Sequence, residues 1–146
     1  MQREGFIIEE IVSESNLELA FKKVLRGKRK ETAEGQYLLA HKDDTLKNIK
    51  NELTLGIFKV TEYWEKEIFE AGKWRKIQIT TMERRIGVFA IMNIVDEHLK
   101  RRFIRTTAAS IKGRGMHDLE KCIRRDMAAD PEGMKYCYEF DIVHFY

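Results

Sequence analysis

Val60-Thr61-Glu62-Tyr63-Trp64-Glu65-Lys66-Glu67-Ile68-Phe69-Glu70-Ala71-Gly72-Lys73-Trp74-Arg75-Lys76-Ile77-Gln78-Ile79 is the stretch on which the fold turns. β-Branched and aromatic residues lie on both sides of Ala71-Gly72, as two strands flank a turn, so the segment from Ile57 to Ile79 reads as a β-hairpin. Its surroundings follow another period. Upstream, Phe6, Ile7, Ile8, Ile11, Val12, Leu17, Leu19, Ala20, Phe21 and Val24 recur mostly at helical spacings. Ser13 to Asn16 offers a break and a cap, which gives two short helices or one bent one. A basic loop, Arg26-Gly27-Lys28-Arg29-Lys30, precedes a second helical stretch carrying Leu38, Leu39, Leu46, Ile49 and Leu53, with Gly56 as its stop.

Downstream of the hairpin, Thr80 and Glu83 have the spacing of a capping box, and Ile86, Phe89, Ala90 and Ile94 mark the apolar face of the helix it opens. That helix runs into Lys100, Arg101, Arg102 and Arg105. A glycine-interrupted loop follows, Ser110-Ile111-Lys112-Gly113-Arg114-Gly115, and then a short helix from about His117 to Met127. Asp130-Pro131-Glu132-Gly133 turns the chain into a final strand, Lys135 to Val143, in which Tyr136, Tyr138 and Phe140 alternate with Cys137 and Glu139. Helices around a small antiparallel sheet make the expected class α+β.

Composition narrows the function classes less than the motifs do. The 146 residues are 43% hydrophobic and 35% charged, enough apolar material for one ordinary domain. With 27 basic against 24 acidic residues the net charge is only +3, so any case for nucleic acid rests on local clusters. Cys122 and Cys137 lack metal-ligand or redox spacing and read as packed thiols in a reducing, cytoplasmic compartment. No apolar run approaches a membrane span, and Met1-Gln2-Arg3-Glu4-Gly5 is not a signal peptide.

Three features carry chemistry. Asp141, at the end of an aromatic strand, sits where strand edges hold a divalent metal, although an aspartate there is more often a cap or turn residue. Lys73, Arg75 and Lys76 lie on the hairpin. Lys112 and Arg114 alternate with Gly113 and Gly115, glycines that let backbone approach a phosphate chain while the cations attract it. Each cluster separately also fits a solvated face.

Taken in order, Lys73-Trp74-Arg75-Lys76-Ile77, then Arg84-Arg85-Ile86 with Ala90-Ile91-Met92-Asn93, then Ser110-Ile111-Lys112-Gly113-Arg114-Gly115-Met116-His117, then Tyr136-Cys137-Tyr138-Glu139-Phe140-Asp141-Ile142 to Phe145-Tyr146 resemble the opening motifs of bacterial reverse transcriptases. The relatives in view are the group II intron, diversity-generating and prophage retroelement enzymes, over about Leu17 to Tyr146 and most specifically from Ser110. The resemblance implies an N-terminal helical region (1–56), fingers (57–134) and the first strand of a polymerase palm (135–146). It implies Asp141 as a catalytic ligand of Mg2+, with the Ile142 carbonyl as a further metal ligand. Arg75 would touch the triphosphate of the incoming dNTP with Lys73 or Lys76 helping, and Tyr146 would be the aromatic gate under its sugar. Lys112, Gly113, Arg114 and Gly115, with Arg101, Arg102 and Arg105, would track an RNA template and its DNA or RNA primer.

Departures from the pattern are Arg84-Arg85 where an Asp-Arg pair is frequent, Val88-Phe89 where histidines are, and Val143-His144 in the first palm motif. The chain ends after Tyr146, short of a second carboxylate motif. The expectation is therefore a fragment that does not polymerise by itself, or a non-catalytic nucleic-acid-binding or assembly module on the same scaffold. Unpaired palm surface around Tyr138, Phe140, Ile142 and Phe145 favours association, with a homodimer through that strand as the candidate assembly.

Overall fold

The computed structural model describes residues 5–108 and 111–142, in two compact units that divide between Leu99 and Lys100. The class is α+β. The sequence divisions at 56/57 and 134/135 do not coincide with this one, because the N-terminal helices and the helix after the hairpin share a core.

In the first unit, α1 (Ile7–Ile11) and α2 (Glu14–Val24) are separated by Ser13, whose hydroxyl accepts from the Asn16 amide at 3.4 Å. This is the break expected of the serine, since a capping side chain satisfies a donor that has no helical partner. The basic loop folds as a 3-10 turn over Gly27–Glu31. α3 (Ala33–Ala40) is capped by Thr32, and α4 (Lys42–Thr54) ends as Gly56 suggests. Gly56 takes φ +68, its N–H bonds Leu53 O and the Ile57 N–H bonds Glu52 O, which closes the helix with a left-handed residue.

The core takes one stripe from each helix. α2 supplies Leu17, Ala20, Phe21 and Val24 at helical spacing, α3 supplies Leu38, and α4 supplies Leu46, Ile49 and Leu53. α5 (Met82–Lys100) completes it with Ile86 and Ala90, while Phe89 and Ile94 pack partly buried against it. The cap of α5 is Thr81 rather than Thr80: the Thr81 hydroxyl accepts from the Arg84 amide at 3.3 Å, and Thr80 is still in the strand.

A polar side chain joins three of these helices. Asn16 is buried and its Nδ2 donates to Ile11 O at 2.8 Å and to Ala90 O at 2.9 Å. Its Oδ1 accepts from Asn93 Nδ2 at 2.9 Å, and Asn93 Oδ1 in turn accepts from Lys23 Nζ. A buried amide with its partners in place fixes the position of α5 on α1 and α2 more tightly than apolar contact does.

The hairpin is β1 (Tyr63–Glu70) and β2 (Lys73–Thr80), antiparallel, with Tyr63 opposite Thr80 and Glu70 opposite Lys73. Ala71 at φ +51 and Gly72 at φ +79 form its turn, the conformation that a two-residue hairpin loop demands of both positions.

In the second unit, α6 (Met116–Ala129) forms over the predicted range and buries Cys122. Cys137, by contrast, is exposed and not a packed thiol. The expected final strand is absent as well: Lys135 to Ile142 form no strand among the described residues. The alternation is there, but a strand exists only through a partner's hydrogen bonds, and no described segment supplies them.

Candidate nucleic-acid interface

Pairing in the hairpin sorts its side chains into two faces, since directly opposed residues share a face and successive residues alternate. One face carries Trp64, Lys66, Ile68 and Glu70 from β1 against Lys73, Arg75, Ile77 and Ile79 from β2. The other carries Tyr63, Glu65, Glu67 and Phe69 against Trp74, Lys76, Gln78 and Thr80. The contacts agree with this division. Arg75 Nε lies 3.8 Å from Glu70 on the first face, and Lys76 Nζ lies 3.9 Å from Glu65 on the second. Phe69 and Trp74 meet on the second face, ring centroids 5.4 Å apart.

This geometry separates three cations that sequence reading groups together. Lys73 and Arg75 are neighbours, whereas Lys76 points the opposite way into company with Glu65 and Glu67. It also adds Lys66, a residue the motif does not contain, diagonally across from Arg75. The first face therefore holds Lys66, Lys73 and Arg75 against Glu70 alone, with Trp64 beside them. Period-two alternation carried that signal, but strand register was needed to join Lys66 to Arg75.

In the second unit, Ile111 and Arg114 bridge across a tight turn with Lys112 and Gly113 at its tip. Gly113 takes φ +81, which glycine reaches without steric cost, and Lys112 is exposed beside it. Gly115 is extended and caps α6 without a side-chain bond, so its role needs no special backbone freedom. Arg114 Nη1 donates to Ile104 O at 3.3 Å. Arg105 makes a two-point contact with Asp118 at 2.6 and 2.8 Å, and this guanidinium holds the Asp118 carboxyl below its ordinary range. Asp118 stands in the first turn of α6, where a carboxylate also complements the helix dipole. Arg105 and Arg114 are thus tied into the loop's own structure. Lys112 and Arg102 present their charges at exposed positions, and Arg101 is exposed next to the end of α5.

Asp141 is exposed, and its Oδ1 accepts from the Ile142 amide at 2.9 Å. Among the described residues, no group of three or more histidine, cysteine, aspartate or glutamate side chains is assembled to hold a metal ion. One carboxylate is a partial ligand set for magnesium, which takes several oxygens at octahedral positions. Tyr146, Phe145 and Ser110 lie outside the described residues.

Arg84, where the resemblance departs from its pattern, has a structural task. It forms a two-point contact with Glu52 of α4 and lies over the Phe58 ring, 5.4 Å from its centroid. The tip of the same ring lies against Gly87, where an added Cβ would collide with Phe58 Cζ and Cε2. Among the described residues no helix is long and apolar enough to cross a membrane. No protein-family model matches the chain, and no curated protein matches it.

Proposed function

We propose that this chain is the fingers part of an RNA-directed DNA polymerase, of the bacterial retroelement type it resembles. Its own contribution is to hold an RNA template with its DNA or RNA primer, and the triphosphate of an incoming dNTP. The observation that carries the reading is the uneven charge of the hairpin. Lys66, Lys73 and Arg75 share one face with a single acid, Glu70. Arg75 offers a planar fork suited to paired phosphate oxygens, and the lysines add point charges around it. Placed near a phosphoryl group, such cations stabilise the charge of the transferring phosphate. In the second unit, Lys112 on its glycine turn is suited by itself to a phosphate-backbone contact of the kind that positions a strand without reading its sequence.

Polymerisation requires more carboxylates than Asp141. A second reading, a non-catalytic nucleic-acid-binding or assembly module, is favoured by the fact that the basic face is built without any contribution from Asp141. The two are separated by expressing the chain together with whatever its gene encodes after Tyr146. The polymerase reading expects magnesium-dependent DNA synthesis on an RNA template, abolished by Asp141→Ala with duplex binding retained. Binding without synthesis selects the module, and an active Asp141→Ala protein contradicts the role given to that aspartate.

A further inference from the structure

The segment Met134 to Ile142 has the alternation of a strand and the surroundings of none. Tyr136, Tyr138 and Phe140 are 81%, 78% and 89% exposed, and Tyr138 and Phe140 stack at 6.4 Å on the same side of the chain. Among the described residues no backbone–backbone hydrogen bond reaches Lys135 to Ile142. Exposed apolar side chains along an unpaired extended backbone are the two things that strand addition consumes.

We propose that this segment pairs with its counterpart in a second copy of the chain, antiparallel and centred on Tyr138. The inference does not depend on the polymerase reading. Centred on Tyr138, the pairing sets Met134 opposite Ile142, Tyr136 opposite Phe140 and Tyr138 opposite itself, so every apolar residue of the face meets another. On the reverse face, Lys135 of each copy stands opposite Asp141 of the other, and Cys137 stands opposite Glu139. Neighbouring registers lose this match. Centring on Cys137 sets Asp141 against Gly133 and Ile142 against Glu132, and centring on Glu139 brings two glutamates face to face, which is repulsive. Lys135 is held by Glu132 of its own chain, but both groups are exposed, and an exposed pair is exchanged at little cost.

The interface is small, so the dimer is weak, and it forms at a chain concentration of about 0.1 mM. Sedimentation across a concentration series, with the 146-residue chain, gives the first readout. Disulfide trapping gives the register. Directly opposed Cα atoms in an antiparallel pair lie about 4.5–5.5 Å apart, within the range a disulfide spans. Under mild oxidation, Tyr138→Cys in a Cys137→Ser background therefore yields a covalent dimer, and Tyr136→Cys in the same background does not. The native Cys137 does not cross-link either, since its counterpart is one diagonal away.

Charge exchange is the independent check. Lys135→Asp weakens association by roughly ten-fold, and adding Asp141→Lys restores it, because two symmetry-related pairs are reversed and then rebuilt. These substitutions lie on exposed positions outside the core, and helical circular dichroism verifies that the fold is kept. A chain that stays monomeric at about 0.3 mM overturns the proposal. So does trapping at Tyr136→Cys or at native Cys137 in place of Tyr138→Cys, or a double exchange that fails to restore the dimer.

Discussion

Asn16 shows how much a single side chain decides in this protein. An amide buried among Ile11 O, Ala90 O and Asn93 costs little only while all of its partners are in place. Asn16→Ala leaves those groups unpaired, and the expected loss is about 2–4 kcal/mol, read as a lowered midpoint in urea with an unchanged slope. Asn16 was legible only as part of a helix break. Its long-range bonds to α5 depend on residues more than seventy positions away, and nothing local announces them.

Arg84 was legible as a departure from a motif, whereas its contact with Glu52 and Phe58 required the fold. This pair is about one quarter exposed, so Arg84→Ala should cost roughly 1–2 kcal/mol, less than a fully buried charge pair would. Asp118 responds to acid. Its folded pKa is depressed below the ordinary 3.8 by Arg105, so its contribution is fully present above that value. The contribution is lost as pH falls through the lower folded value. Nuclear magnetic resonance titration of the Asp118 carboxyl should give a midpoint below 3.8, and Arg105→Ala should return it toward 3.8.

Among the elements, those with strong local signals were readable. Ser13, Gly56 and Ala71-Gly72 ended or turned the chain where their chemistry predicts. The hairpin turn carries a cost, because Ala71 occupies the left-handed region at φ +51, where its Cβ crowds the backbone. Asn tolerates that region better, so Ala71→Asn should stabilise the hairpin by about 0.5–1 kcal/mol, measured as slower amide exchange across β1 and β2. The cap of α5 was misplaced by one residue because Thr80 and Thr81 are adjacent and both can cap. The strand expected at Lys135 to Val143 failed for another reason. Alternation specifies a face, but hydrogen-bond partners specify a strand, and its partners are not among the described residues.

For the whole molecule, the core explains how the hairpin can stay largely exposed. Ile86 and Ala90 anchor α5 in the helical body, so the strands leading into it need little burial of their own. Ile68, Ile77 and Ile79 are half-buried on the basic face, and Trp74 at 72% exposure stands on the other. Sequence located the cations Lys73, Arg75 and Lys76. Register divided them and brought in Lys66.

The most direct test is fluorescence anisotropy of an RNA–DNA duplex with the 146-residue chain across a salt series, comparing Lys73→Ala/Arg75→Ala with Lys76→Ala. Affinity should fall with salt at a log–log slope of roughly −0.7 to −0.9 per phosphate neutralised, with little dependence on duplex sequence. Lys73→Ala/Arg75→Ala should weaken binding and make the slope shallower by about one to two units, and Lys76→Ala should leave both nearly unchanged. No binding at low salt, or equal losses from the two variants, would contradict a phosphate-binding face built from Lys66, Lys73 and Arg75.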